Sequence, residues 1–395
     1  MRGLFQKLPP FSPDTSGVGT VLFGLQCVVV YHDALGCASN FLSLEETRTW
    51  DQVNLVSSQV KELDVILGSN QKIYEKMENL CRELQPRYAF LAGSPIAMAI
   101  GTDLNAVAKD LEQKLGIPVG VIDVTGHKYY DSGVKAALKG LAGVFLNDQV
   151  PVKEESTINI LGMTNLDVNE EMGESLVRFL EENQIKVISQ WGMGDDFENM
   201  CLAGKAALNL VAGHAALPLA RQMRDLYGIP YLQGLPLGRN AGKKLVDSIK
   251  KLSRSKVSAP SPDQAVSKVV RGERKERVLI IGEQVLGNSL RDMLQEDFAI
   301  RHVAVGSFFQ MEKELMAEGD MKFPDETALE EYLQNHTLDY VIADPFFRRF
   351  LTETDGVVFC PLPHRAVSGK LYADRFPALI SEKGNEWFSG FLDQG

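Results

Sequence analysis

The chain has 395 residues, of which 45% are hydrophobic and 24% are charged, and its formal net charge at pH 7 is -11. This composition is typical of globular proteins. The chain is longer than a domain with a single hydrophobic core usually is, so we expect two or three domains. The acidic balance argues against nucleic acid or an anionic membrane as the main partner.

The opening segment MRGLFQKLPPFSPDTSG meets prolines before any apolar run develops, and no apolar stretch is long enough to cross a bilayer. We therefore expect neither a leader nor a membrane span. The cysteines are odd in number, scattered and without CxxC spacing: Cys27, Cys37, Cys81, Cys201 and Cys360. This usage predicts reduced thiols in a cytoplasm and no self-contained zinc site.

Predicted strands and helices alternate along the chain from CVVVYHD onward. The runs CVVVYHD, YAFLAGS and PVGVIDV predict buried strands, and between the first two Ile73, Met77, Leu80 and Leu84 recur at helical spacing. The pattern restarts at STINILGMT and IKVISQWGM, and a third time at ERVLIIGEQVLGNSLRDMLQ, IRHVAVGSF and LDYVIADPFFRRF. This alternation predicts an α/β fold: three Rossmann-like domains with mainly parallel sheets around a central crevice.

Composition marks the predicted boundaries. LNDQVPVKEES is a polar joint, and LSRSKVSAPSPDQAVSKVVRGERKER is rich in Ser, Pro and basic residues, which is typical of a linker. We expect the first domain at 1–150, the second at 151–255, a linker at 256–276 and the third domain at 277–395.

Ligands of open α/β sheets bind at the carboxyl ends of strands, which is where Cys37, Ser94 and Thr125 fall in the first domain. Packing is the alternative for Cys37, because free cysteine is among the most buried residue types. Packing is the prediction for Cys27, for Cys81 on its amphipathic helix, and for Cys201, which we place on a helix among small residues.

Two further motifs each have a functional and a structural interpretation. In IIGEQVLGNS, Gly282 and Gly287 follow a strand, but Asn288 stands where a phosphate-binding loop needs lysine, so we predict a tight turn and close helix packing. In VVFCPLPHRAVSG, two prolines carry His364 beyond the strand that ends at Cys360, so His364 could bind a metal or donate a proton. The alternative is a hydrogen-bonded structural histidine.

The segments PDTSGVGTVLFGLQCVVVYHDALGCASN, LAGSPIAMAIGTDLNAVAKDLEQKLGIPVGVIDVTG, INILG and ALNLVAGHAALPLARQMRDLYGIPYLQGLPLG resemble nitrogenase component 1. The resemblance spans nearly the whole chain, with the third domain matched by pattern alone. It implies an iron–sulfur cluster, of the 4Fe–4S type, held by first-domain cysteines at a subunit interface. ATP would be bound by a P-loop iron–sulfur reductase protein and not by this chain.

The resemblance assigns Cys37 as a metal ligand, with Gly36 letting the turn approach the cluster. The other two expected cysteine positions hold Pro13 and Ser94, and Ser94 is a weaker candidate ligand than a thiolate. His32 and Asp33 become candidate proton-relay or supporting groups.

Upstream of RQMRDLYGIPY, where the nitrogenase α-type subunit has a cofactor-binding cysteine, the chain offers only His214. This departure suggests a β-like or uncharacterised nitrogenase-like chain, with His214 and His364 lining a cavity for a small-molecule substrate. The expected function is a subunit of an ATP-dependent multi-electron reductase that pairs with a second component 1-like chain or with itself. The alternatives are a scaffold for metallocofactor assembly and a cluster-free binding protein.

Overall fold

The protein is represented by a computed structural model that describes residues 5–34, 41, 44–48, 55–68, 70–254, 273–352 and 356–392. The candidate residues Gly36 and Cys37 lie outside these ranges. Within the described residues three parallel sheets follow one another along the chain, and we call the sheets and their covering helices the first, second and third units. No helix of the described ranges is both long and apolar enough to span a bilayer.

The first sheet has four strands in the order β2-β1-β3-β4. The strands are β1 (Val28–Tyr31), β2 (Leu55–Ser57), β3 (Ala89–Ala92) and β4 (Val119–Ile122). Its helices are α1 (Asp14–Leu22), α2 (Glu62–Leu67), α3 (Gln71–Leu84), α4 (Pro95–Ile100), α5 (Leu104–Leu115) and α6 (Tyr130–Phe145). Every residue of β1 and β3 is buried, because helices cover both faces of the parallel sheet.

The second sheet also has four strands, in the order β6-β5-β7-β8. The strands are β5 (Glu154–Leu161), β6 (Lys186–Trp191), β7 (Ala206–Val211) and β8 (Tyr231–Gln233). Its helices are α7 (Glu170–Glu182), α8 (Phe197–Leu202), α9 (Leu217–Tyr227) and α10 (Arg239–Arg254).

The third sheet has five strands, in the order β11-β10-β9-β12-β13. The strands are β9 (Arg274–Ile281), β10 (Ile300–Ser307), β11 (Met321–Lys322), β12 (Tyr340–Ala343) and β13 (Val358–Pro361). Its helices are α11 (Gln284–Asp297), α12 (Glu326–Asn335), α13 (Arg365–Ser368) and α14 (Glu382–Leu392).

All strand pairs in the three sheets are parallel, which confirms the predicted fold class. The predicted helix between the first two strands is α3, and it buries Ile73 and Met77. Residues 274–276, at the end of the predicted linker, already belong to β9. The predicted domain boundaries themselves stay a prediction.

The segment before α1 joins the first unit to the third. The carboxylate of Glu326, on α12, accepts hydrogen bonds from the backbone N–H groups of Gln6, Lys7 and Leu8. Further along, Phe11 packs its ring between Tyr129 and the third-unit rings that follow β10. This segment therefore fixes where α6 begins, next to the third unit.

Helices α1 and α6 approach each other at a glycine on each. A Cβ atom on Gly17 would overlap the carbonyl oxygen of Tyr130, and a Cβ atom on Gly133 would overlap that of Asp14. Close approach of two backbones requires residues without side chains at the crossing. The amino end of α6 is thereby held against α1, and it is this end that carries the polar residues described next.

Candidate functional site

The three sheets each reverse strand order at one point, and the loops at these three points contain several polar residues of the candidate site. The reversals lie between β1 and β3, between β5 and β7, and between β9 and β12. Loops that leave such switch points in opposite directions open the crevice in which α/β proteins bind ligands. His32 and Ser94 follow the first pair of strands, His214 follows β7, and Glu283 and Asp344 follow the third pair.

His214 joins all three units through two carboxylates. Its Nδ1 lies 2.7 Å from Oε1 of Glu283, in the third unit, and its Nε2 lies 3.4 Å from Oδ2 of Asp131, in the first turn of α6. The backbone N–H of His214 also donates to Glu283, at 2.8 Å. All three side chains are buried. We call these three residues the junction triad.

The surroundings of His214 favour its charged form at neutral pH. Burial by itself would lower the pKa of His214, but the hydrogen bonds and charges of Asp131 and Glu283 outweigh it and raise this pKa to about 10. The same contact with His214 lowers the pKa of Glu283, against the opposing effect of burial. An imidazolium ion therefore lies between two carboxylates.

Backbone donors complete the solvation of the two carboxylates. Oε2 of Glu283 accepts from the N–H of Leu286 and so caps α11, and Oδ2 of Asp131 accepts from the N–H of Gln310, after β10. Hydrogen bonds of this kind are required of buried charges, which otherwise cost several kcal/mol each.

His364 lies beside the triad, against the residue that precedes Asp131. Its Nε2 is 3.3 Å from the hydroxyl of Tyr130 and 3.3 Å from Oδ1 of Asp167, and its ring meets that of Tyr130 edge to face. Tyr130 donates to Asp167, which also accepts from Thr164 at 2.6 Å. The structure thus brings both predicted histidines to the amino end of α6.

The backbone of His364 is fixed by the third unit. Its N–H donates to Oδ2 of Asp344 at 2.8 Å, and the same oxygen accepts from Ser368 at 2.7 Å. The next residue, Arg365, is also buried and reaches the carbonyl of Asn165 in the second unit. The loop that follows β13 therefore ties the second and third units together.

His32 and Ser94 form a separate group at the carboxyl edge of the first sheet. Nδ1 of His32 lies 3.1 Å from the hydroxyl of Ser58, and burial lowers the pKa of His32 to about 4, so its ring is neutral. Its Nε2 is buried and has no partner among the described residues. Asp33 accepts a hydrogen bond from the N–H of Ala34 at 2.8 Å.

Ser94 is engaged in three hydrogen bonds. Its hydroxyl donates to the carbonyl of His32 at 2.6 Å and accepts from the N–H groups of Ile96 and Ala97 as the N-cap of α4. Binding iron through Ser94 would break the donated bond and leave the cap without its acceptor. Pro13, at the other expected cysteine position, has no donor side chain and precedes α1.

The described residues do not fit an iron–sulfur cluster. In the ranges that the structure covers, no group of three or more His, Cys, Asp or Glu side chains is arranged to hold a metal ion. Burial raises the pKa of the Cys27 and Cys360 thiols to about 12, which suits packing and not ligation. The prediction for Cys37 concerns a residue outside the described ranges and stays a prediction.

Two other sequence predictions have outcomes here. Gly287 packs closely, since a Cβ atom there would meet Val305 at 2.7 Å, which confirms the predicted close helix packing. The packing prediction for Cys201 is wrong: this residue is exposed on α8. The six-residue helix buries Met200. Because successive residues of a helix point about 100° apart, the next residue, Cys201, faces away from the buried side.

The partners of both histidines are not predictable from the sequence alone. Asp131 and Glu283 lie 83 and 69 residues from His214 along the chain, so spacing alone could not pair them. One usable signal was present: Glu283 directly follows a strand and a glycine, at the position of a helix N-cap.

The family of the chain follows from a match over most of its length. Residues 15–357 match the family model described as nitrogenase component 1 type oxidoreductase. The chain therefore belongs to the nitrogenase component 1 type oxidoreductase family, which confirms the resemblance drawn from the sequence.

Curated relatives fall in the same family. The chain is 28% identical over 229 residues to the nitrogenase iron-molybdenum cofactor biosynthesis protein NifE of Clostridium pasteurianum, covering 55% of this chain and 48% of that protein. It is 30% identical over 184 residues to NifE of Nostoc sp., covering 45% and 37%. It is 23% identical over 250 residues to the nitrogenase molybdenum-iron protein alpha chain of Methanosarcina barkeri, covering 58% and 45%. The matches span about half or less of these relatives.

A solved structure shows the fold over the whole chain. Nitrogenase Cp1 at pH 6.5 superposes with a TM-score of 0.72 at 15% identity, covering 100% of this chain and 95% of that one. The three-unit architecture is therefore that of a nitrogenase component 1 chain.

The junction triad predicts a pH-dependent stability. We expect His214→Gln to lower the free energy of unfolding by about 3–5 kcal/mol near pH 6, because two buried carboxylates lose their shared cation. The pKa of His214 is raised from 6.5 to about 10 by folding, so its stabilising effect is complete below pH 6.5 and is lost as the pH rises through 10. The loss caused by the substitution should therefore shrink between pH 6.5 and 10.

Urea unfolding at a series of pH values measures this difference. His302→Gln is the matched control, since His302 is exposed on β10 and should change stability by less than about 0.5 kcal/mol. A loss for His214→Gln that is small, or that is constant from pH 6 to pH 10, would contradict the ionised triad.

Proposed function

We propose that this chain is a subunit of a nitrogenase-like, ATP-dependent reductase and that it works paired with a second component 1-type chain. The observation that carries the proposal is that the junction triad joins the three units across the crevice. His214 of the second unit contacts Glu283 of the third unit at 2.7 Å and Asp131 of the first unit at 3.4 Å, so this chain's own side chains join the three units. A small-molecule substrate is therefore bound by the pair or by the second chain, and His214 and His364 position the three units.

An exposed apolar surface supports the pairing. Helix α2 buries none of its residues, and Leu63, Ile66 and Leu67 are 64%, 79% and 70% exposed. Met98, on the neighbouring helix α4, is 53% exposed. We call these four residues the α2–α4 patch. A contiguous apolar surface of this kind is typical of a protein interface.

The patch lies at the carboxyl ends of the strands of the first sheet. α2 follows β2 and α4 follows β3, and β1 lies between those two strands in the sheet. After β1 the described residues run to Ala34 at this edge, three positions before Cys37 in the sequence. We propose that a second chain covers the patch and supplies the ligands that this chain lacks.

Electrons would come from an ATP-hydrolysing P-loop iron–sulfur protein, as the family resemblance implies. The second candidate function is a scaffold for metallocofactor assembly, which the relatives named NifE favour. The two candidates differ in turnover. Under the first, the pair with its P-loop partner transfers electrons from a chemical reductant to an electron-accepting substrate only when ATP is present. Under the second, the pair releases a metallocofactor to an acceptor protein and does not turn over.

The patch predicts which surface substitution abolishes pairing. We expect Ile66→Glu to convert the paired form to a monomer, because a carboxylate in an apolar interface loses its hydration without gaining a partner. Val152→Glu is the control, since Val152 is 88% exposed but precedes β5, away from the patch. Sedimentation velocity of the co-expressed pair measures the fraction of monomer. If the two variants have the same fraction of monomer, the patch is not part of the interface.

Iron content tests the proposed ligand. In anaerobically purified pairs we expect Cys37→Ala to lower iron per chain sharply, because soft thiolate is the ligand that iron–sulfur clusters require. Cys81→Ala should leave iron unchanged, because Cys81 packs on α3. Equal iron per chain in the wild type and both variants would show that Cys37 is not a cluster ligand and would favour the packing alternative. A pair without iron would favour the cluster-free binding protein.

A further inference from the structure

The outer edge of β4 presents backbone groups to which no described strand is paired. β4 ends the first sheet, with β3 on its inner side. The carbonyls of Pro118 and Ile122 accept hydrogen bonds from the β3 side, each at 3.0 Å. Since alternate residues of a strand direct their backbone groups to opposite sides, the N–H and C=O groups of Val119 and Val121 face outward.

This edge is open to a cleft. Val119, Gly120 and Val121 are each partly exposed, whereas the residues of β1 and β3 are fully buried. A cleft of about 1010 Å³ lies along them, between the walls formed by α5 and α6. Four residues of edge strand have a length of about 13 Å, so the edge can pair with a segment of comparable length.

The two walls of the cleft carry opposite charges. Lys135 and Lys139, one turn apart on α6, line one wall, and Lys128 lies before that helix. Asp103 and Glu112, at the two ends of α5, line the other wall. A strand placed against β4 would direct alternate side chains towards α6 and towards α5.

We propose that the β4 edge binds an extended segment of a partner chain, which adds to the sheet as a further strand and carries acidic side chains towards α6 and basic side chains towards α5. The backbone hydrogen bonds of Val119 and Val121 supply affinity, and the two charged walls supply specificity. This surface is at the opposite side of the first sheet from β2, and the cleft is lined by none of the four α2–α4 patch residues.

Two labelled peptides test the occupant. One is an octapeptide in which Glu and Lys alternate, so that a strand presents all carboxylates on one face. The other has the same composition in blocks of two, which places both charges on each face. By fluorescence anisotropy with the full chain, we expect the alternating peptide to bind at least ten times more tightly, and more weakly as salt is raised. Equal binding of the two peptides, or no binding, would overturn the proposal.

Two variants test the site. Val121→Pro removes an outward N–H at an edge position where proline is tolerated, and should abolish binding, whereas the nearly isosteric Val121→Thr should retain it. Lys135→Glu combined with Lys139→Glu should weaken binding at least tenfold, and Lys109→Glu, an exposed α5 position outside the cleft, should not. Unchanged binding in the double variant would overturn the proposal even if Val121→Pro does not fold. The proposal would also be overturned if the chain binds neither peptide but self-associates, and Val121→Pro abolishes that self-association. This result would assign the β4 edge to a second copy of the chain.

Discussion

The architecture depends on one buried cation, the imidazolium of His214, between carboxylates from the two other units. Three parallel α/β units that face one another bury the polar loops at the carboxyl ends of their strands. Every buried polar group there must find a partner within the protein. Asp131 lies in the first turn of α6 and Glu283 caps α11, so both carboxylates also gain from the positive ends of helices.

This constraint limits where the chain can bind ligands and partners. A crevice formed by switch points is the usual ligand site of α/β proteins, and here the chain's own side chains meet across it. His364, Tyr130 and Asp167 extend the same network towards the second unit. The two surfaces proposed for partners lie at the margins of the first sheet: the α2–α4 patch at the carboxyl ends of its strands and the open side of β4. The proposals therefore assign partner binding to the first unit and assembly of the fold to the junction.

The sequence predicted the sheets well because buried parallel strands are continuous β-branched runs, as in VVVY and RVLII. The sequence also singled out His214, through the family resemblance, and His364, beyond the end of a strand, and their functional roles stay predictions. Their partners could not be predicted, because a carboxylate 69 or 83 residues distant gives no local signal. Ser94 shows the opposite case: a serine followed by Pro95 is a helix-capping pattern, and this local signal was overlooked in favour of a ligand role.

The ionised triad can be observed directly through the imidazole nitrogens of His214. With ¹⁵N-labelled histidine, the resonances are assigned by comparison with His214→Gln and followed from pH 6 to pH 9. We predict that both His214 nitrogens keep the chemical shifts of a doubly protonated ring over this range, because the pKa of His214 is raised to about 10. A His214 ring that deprotonates near pH 6.5 would show that the three units are not held together by this cation.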